Sequence, residues 1–177
     1  MDLKKVVQIR CRYKDFIKFP RSEDYSMFYV DKSNSMGLVK DLDQITYYIN
    51  KELPDWDDAP TITDVFNRFK ANSFCLLFYY KKQCIGWNWG NPNFTLDWIN
   101  TYQELPKGHA YGGGCYVTKL VERPFSAGFI NYNMYYEQML IRYKTCYGYC
   151  DDWNKVAIKL NFKMGCHLHD FILEKQK

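Results

Sequence analysis

The sequence predicts an α/β fold of the α+β kind, a mixed sheet flanked by helices. Three observations predict it. Four stretches repeat apolar residues at helical spacing, and between them lie short runs rich in Val, Ile, Tyr, Phe and Trp. Their order is strand, two helices, antiparallel strands, helix, strand, helix, strand. At 177 residues, with 47% hydrophobic and 25% charged residues, the chain is sized for one domain, 1–177, around one core. Disorder, a coiled coil and a collagen-like repeat are excluded by the same numbers.

Val6, Val7 and Ile9 open a first strand over 5–16, ending before Pro20. Leu38, Leu42, Ile45 and Ile49 mark a helix that stops before Pro54. Ile62, Val65, Phe66 and Phe69 mark a second, with Thr61 or Thr63 as its N-cap. Residues 73–80 are a continuous apolar run, and Cys84, Ile85, Trp87 and Trp89 continue it as a hairpin. After an irregular stretch through Pro106, a strand is expected over 111–121, where Gly112 to Gly114 suggest bending or close approach of a ligand. Phe129, Tyr132, Tyr136, Met139, Leu140 and Tyr143 form the stripe of a long helix, and residues 145–150 a short strand. A helix over Trp153, Val156, Ala157 and Leu160 and a strand over 166–173 close the chain.

The net charge of +4 would help to hold an anion but is thin for a nucleic-acid binder. No apolar stretch approaches the roughly 20 residues of a membrane span, and no secretory h-region follows Met1. A soluble, cytoplasmic protein with no membrane or nucleic-acid partner is expected. The seven cysteines form an odd set with no C-x-x-C pair, which suits reduced thiols. Cys146 and Cys150 with His167 and His169 lack the paired short loops of structural zinc, so no metal is expected. Cys115 has no His tied to it and reads as packing.

The turn at 122–128 carries the sharpest chemical signal. A helix that begins there directs unpaired backbone N–H groups and its positive dipole end at whatever lies above. The small residues Ser126, Ala127 and Gly128 let a phosphate approach the backbone, and Arg123 adds a charged fork.

Arg123-x-x-Ser126-x-Gly128 resembles the pyrophosphate loop of the GCN5-related N-acetyltransferase (GNAT) superfamily, Arg/Gln-x-x-Gly-x-Gly/Ala, with Ser126 replacing one small residue by another. Residues 155–165, Lys-Val-Ala-Ile-Lys-Leu-Asn-Phe-Lys-Met-Gly, look like the family's last helix and strand. Asn161 stands there at a customary Gly, and Asn tolerates the same left-handed backbone. The resemblance is specific over about 116–173. It implies a mostly antiparallel sheet, acyl-CoA (acetyl-CoA or a hydroxyacyl-CoA) as co-substrate, and direct transfer of the acyl group to a primary amine. It further implies that the backbone at Val117, Thr118 and Lys119 pairs with the pantetheine arm. The phosphates would rest on Phe125, Ser126, Ala127 and Gly128 beside Arg123. Many relatives are dimers, which leaves a homodimer open.

Amine attack on a thioester needs a base for the amine proton, donors for the oxyanion and an acid for the leaving thiolate. Many members carry a Tyr acid where this chain has Ala157, so Tyr149 or Tyr147 on the preceding strand would serve. Glu104, His109 and Asp151 are candidate bases in or beside loops expected to border the acceptor. Trp87, Asn88, Trp89 and Tyr111 are candidate acceptor contacts, indoles stacking on a sugar or base and the amide bonding hydroxyls. The preferred acceptor is a small-molecule amine, a nucleotide-linked (dTDP or UDP) amino sugar of bacterial surface glycans. A protein N-terminus, a polyamine, an aminoglycoside or a non-catalytic acyl-CoA sensor are the alternatives.

Overall fold

The computed structural model describes residues 3–54, 60–92, 94–96, 101–103 and 105–175. In chain order these form β1 (Leu3–Arg12), β2 (Tyr25–Val30), a 3-10 turn (Ser35–Leu38), α1 (Val39–Glu52), α2 (Ile62–Lys70), β3 (Phe74–Tyr80) and β4 (Gln83–Asn91). There follow β5 (Phe94–Leu96), β6 (Thr101–Gln103), β7 (His109–Val117), α3 (Ala127–Arg142), β8 (Thr145–Asp151), α4 (Lys155–Lys163) and β9 (His167–Lys175). The contacts divide the chain into two compact units, one of residues 1–19, 91–113 and 136–177, the other of 20–90 and 114–135. Both β7 and α3 begin in one unit and end in the other.

In the unit of residues 20–90 and 114–135, the sheet runs β2-β3-β4 and then the end of β7. Strands β2, β3 and β4 are antiparallel neighbours, with Leu77 opposite Trp87 and Cys75 opposite Trp89. Those four side chains share a core with Leu42, Ile45 and Ile49 of α1 and Val65 and Phe69 of α2. The alternate residues Phe78 and Ile85 pack with Tyr25 and with Ala127 and Met134 of α3. With helices against both faces, β3 has no solvent face to encode, and its sequence is an unbroken apolar run rather than an alternation. The single-residue step of the pleat also separates Asn88 from Trp87 and Trp89.

In the other unit the order is the start of β7, then β8, β1 and β9. Strand β7 runs parallel to β8, pairing Tyr111 with Tyr147. Strand β1 is antiparallel to β8 and β9, with a bulge between Gln8 and Ile9 against β9. Ile9, Cys11 and Cys146 are buried on one face, where the hydroxyl of Tyr136 lies close to Gly148 and donates to Asn161 of α4 at 2.6 Å. The pleat places His109, Tyr111, Tyr147, Tyr149, Gln8 and Arg10 on the opposite face.

Several expectations need correction. The chain between Phe16 and Leu38 contains β2, whose half-buried alternation is hidden by the mixed sequence YSMFYV. Strand β1 ends at Arg12 and β7 at Val117, short of the expected 16 and 121. The β7 ladder stops because the Thr118 N–H still reaches Ile85 at 2.9 Å, whereas its carbonyl turns to accept from Arg123. Helix α4 opens at Lys155 rather than at Trp153, since the Asn154 side chain accepts from the Ala157 N–H at 3.2 Å and caps it there. Asn161 is not a left-handed terminator. It lies within α4, accepts from Tyr136 and donates to the Ala157 carbonyl at 2.8 Å. The left-handed residue is Gly165, at φ +84°, where a Cβ would lie 1.9 Å from the Asp15 carbonyl oxygen.

Candidate functional site

The turn from Thr118 into α3 is fixed from within. The Arg123 guanidinium donates Nε to the Thr118 carbonyl at 2.5 Å and Nη1 to the Pro124 carbonyl at 3.4 Å, and the Leu120 N–H bonds the Thr118 hydroxyl at 3.0 Å. The Ala127 N–H donates to Pro124, tightening the entry to α3. Among the described residues, the amides of Phe125, Ser126 and Gly128 have no acceptor. Apart from its chain neighbours and its own helix backbone, nothing lies within 4 Å of where a Gly128 Cβ would stand, so space is open beside these donors. The ring of Phe125 is fully exposed. Ser126 lies beside Tyr25, whose phenol burial pushes up. Open amides, a dipole end and a nearby guanidinium together favour an anion.

Strand β7 supplies the approach to this turn. Val117 packs partly into the apolar cluster below and Thr118 is buried. The Lys119 N–H is occupied: it donates to Glu52, at the end of α1, at 2.7 Å, and the same carboxylate accepts from the Tyr116 hydroxyl. Glu52 was not among the expected site residues. Earlier on the strand, Gly114 has φ +82°, and exposed Cys115 receives the Asn131 amide at 3.0 Å; burial nonetheless pushes its thiol up to about 12. A thiol raised in this way carries little thiolate at neutral pH.

The expected acceptor contacts on β4 are engaged by the protein itself. Trp87 and Trp89 are 4% and 2% exposed, edge to face with each other at 5.5 Å and packed in the core. Asn88 exchanges a reciprocal amide pair with Asn131, at 2.8 and 3.0 Å. The burial that made this strand readable therefore withdraws its side chains from stacking on a sugar.

His109, Tyr111 and Tyr149 come together in the other unit, on the face shared by β7, β8 and β1. His109 Nδ1 and the Tyr147 hydroxyl are 3.0 Å apart, and the Tyr111 ring lies against Tyr149 at 5.4 Å. Burial, then the charges of Lys144 and Arg10, lower the proton affinity of His109, which favours the neutral imidazole. Burial likewise raises the phenols of Tyr111 and Tyr147. Asp151 stands at the end of β8, opposite Val6. Glu104 lies outside the described residues.

No family model matches the sequence, and no curated protein matches it. Solved structures do match. A GNAT-family protein from Novosphingobium aromaticivorans superimposes with a TM-score of 0.59 over 100% of this chain and 67% of its own, at 9% identity. The chain has the GNAT fold. A GCN5-related N-acetyltransferase from Kribbella flavida gives a TM-score of 0.55 over 98% of this chain and 59% of its own, at 8% identity. An aminoglycoside acetyltransferase from an uncultured soil metagenomic sample, in complex with trehalose, gives 0.60 over 88% of this chain and 97% of its own, at 9% identity. This chain spans between half and two thirds of the first four solved chains it matches. Among the described residues, no helix is long and apolar enough to cross a membrane, and no group of three or more metal-ligating side chains gathers.

Proposed function

We propose that this chain is a cytoplasmic N-acyltransferase domain, 1–177, that moves an acyl group from acyl-CoA to a primary amine. The observation that carries the reading is the entrance to α3, a GNAT-fold position at which three unfilled amides face open space beside Arg123. The diphosphate of the coenzyme would take those amides, and the pantetheine arm would lie along β7 toward Gly114 and Cys115. Holding thioester and amine in line makes the attack effectively intramolecular. The amine nitrogen bonds to the thioester carbonyl carbon, the carbon–sulfur bond breaks, and the amine's extra proton passes to a base while the thiolate takes one from an acid or from water. His109 suits the base, being neutral and held by Tyr147. Asp151 and Glu104 remain alternatives, and Tyr149 is the candidate acid. An acetyl or hydroxyacyl group is the cargo, and a nucleotide-linked amino sugar is the preferred acceptor.

Binding and thiol release test this together. Acetyl-CoA should bind with measurable affinity and release free CoA when a suitable amine is supplied. Arg123→Ala should weaken binding about tenfold, which is about 1.4 kcal/mol. Binding without thiol release across an amine panel would favour the sensor reading. An unchanged affinity in Arg123→Ala would remove the phosphate seat.

A further inference from the structure

The unit built on β7, β8, β1 and β9 holds a cation that the transfer reaction does not account for. Arg10 sits in mid-strand on β1, opposite Tyr147 of β8 and His167 of β9. It is only half exposed, and its Nε is buried without a hydrogen-bond partner. Among the described side chains no carboxylate pairs with it: Asp15 is taken by Arg12 at 2.5 Å, and Asp151 stands four residues along β8 from Tyr147. Arg10 and Lys144 both act on His109 as positive charges, and Arg10 acts on Tyr147 in the same sense.

A guanidinium drawn out of water without an acceptor is costly, and chains keep one where something anionic will meet it. Arg10 is ringed by groups that suit such a guest. The His109 imidazole and Tyr147 hydroxyl form a hydrogen-bonded pair at 3.0 Å, and the rings of Tyr147 and His169 lie 5.3 Å apart on the same face. When the His109 Nδ1–H donates to the Tyr147 oxygen, the Tyr147 O–H stays free, and a planar fork beside that donor fits the two oxygens of a carboxylate or phosphate.

We infer that Arg10, with Tyr147, binds an oxyanion carried by the acceptor amine, so that the preferred acceptors are anionic. The acceptor part of this inference rests on the transferase reading; the oxyanion site does not. Polyamines and aminoglycosides, as cations, are disfavoured by this face. A nucleotide-linked amino sugar would supply a phosphate, and an amino acid a carboxylate.

Two measurements on the full chain separate the possibilities. In the first, thymidine diphosphate and glutamate are titrated calorimetrically into wild type, Arg10→Gln and Arg10→Lys. One anion should bind, Arg10→Gln should weaken it at least tenfold, and Arg10→Lys should fall between, with acetyl-CoA affinity unchanged in both variants. Which of the two binds tells phosphate from carboxylate. Should Arg10→Gln fail to fold, a several-fold loss in the charge-conserving Arg10→Lys carries the result. Failure of both anions to bind wild type, or equal binding by the variants, overturns the site. The second measurement is acetyl-CoA turnover with a nucleotide-linked amino sugar, glutamate, glucosamine and spermidine. An advantage of about tenfold or more for an anionic amine, lost in Arg10→Gln, supports the inference. Turnover of glucosamine or spermidine in preference overturns it while leaving the transferase intact. Anion binding with no turnover of any amine overturns the transferase while leaving the oxyanion site standing.

Discussion

Helices α2 and α3 begin in opposite ways within one unit of the molecule. At α2 the chain closes its own end: the Thr61 hydroxyl accepts from the Asp64 N–H at 3.2 Å, and the Asp64 carboxylate accepts from the Thr61 N–H at 2.8 Å. A negative charge is thereby placed at a positive dipole end. At α3 the chain supplies no carboxylate, and the residues that could carry one are Ser126 and Gly128. The same backbone need is met internally in one helix and left open in the other. A helix entrance becomes evidence of function through what is withheld from it, against a neighbour that withholds nothing.

The most severe way to erase the difference is to give α3 the acid that α2 has. Gly128→Asp has room for its side chain and should weaken acetyl-CoA binding about a hundredfold while the melting temperature holds or rises, as read by calorimetry and thermal denaturation. A variant that still binds the coenzyme normally would mean that the diphosphate lies elsewhere. A smaller change sharpens the comparison from the strand side. Glu52 already fills the Lys119 N–H that pantetheine would use, so Glu52→Ala should tighten acetyl-CoA binding by about threefold, the worth of one competing hydrogen bond. Weaker binding would show that the carboxylate organises the strand instead.

The smallest effect belongs to the closed end. Thr61→Ala should lower the melting temperature by a few degrees and leave acetyl-CoA affinity untouched. The Thr61 bonds hold the Asp64 carboxyl below its ordinary value of 3.8. Its contribution to stability is therefore complete above that value and is lost as pH falls through the lower folded value. Acid denaturation of Asp64→Asn should lack that component, whereas the α3 entrance, which has no acid, contributes nothing to it.

Elements with strong periodicity were legible in the sequence. The stripes of α1 and α2 and the apolar run of β3 follow directly from burial on one or both faces. Strand β2 was not legible, because an edge strand with Ser26 and Met27 carries no clean alternation. Asn161 misled for a related reason: its resemblance to a helix-ending glycine is local, whereas its role is set by Tyr136, 25 residues away. The α3 entrance was legible because its small residues, proline and arginine are contiguous. Glu52 could not be found in that way, since the groups it serves lie 64 and 67 residues further on. Arg10 looked like an ordinary strand residue until its neighbours from β8 and β9 could be placed around it. Trp87, Asn88 and Trp89 were conspicuous by type alone, and their type is explained by core packing.

The cysteines have a chemical consequence. All seven are free, and only Cys115 is exposed. Burial pushes the thiols of Cys75, Cys84, Cys115, Cys146 and Cys150 upward, to about 12 for Cys84 and Cys115. Alkylating reagents and peroxide therefore meet Cys115 before the other six. A reagent that colours on meeting sulfur will reach that one side chain first on the native polypeptide and the rest as the chain unfolds.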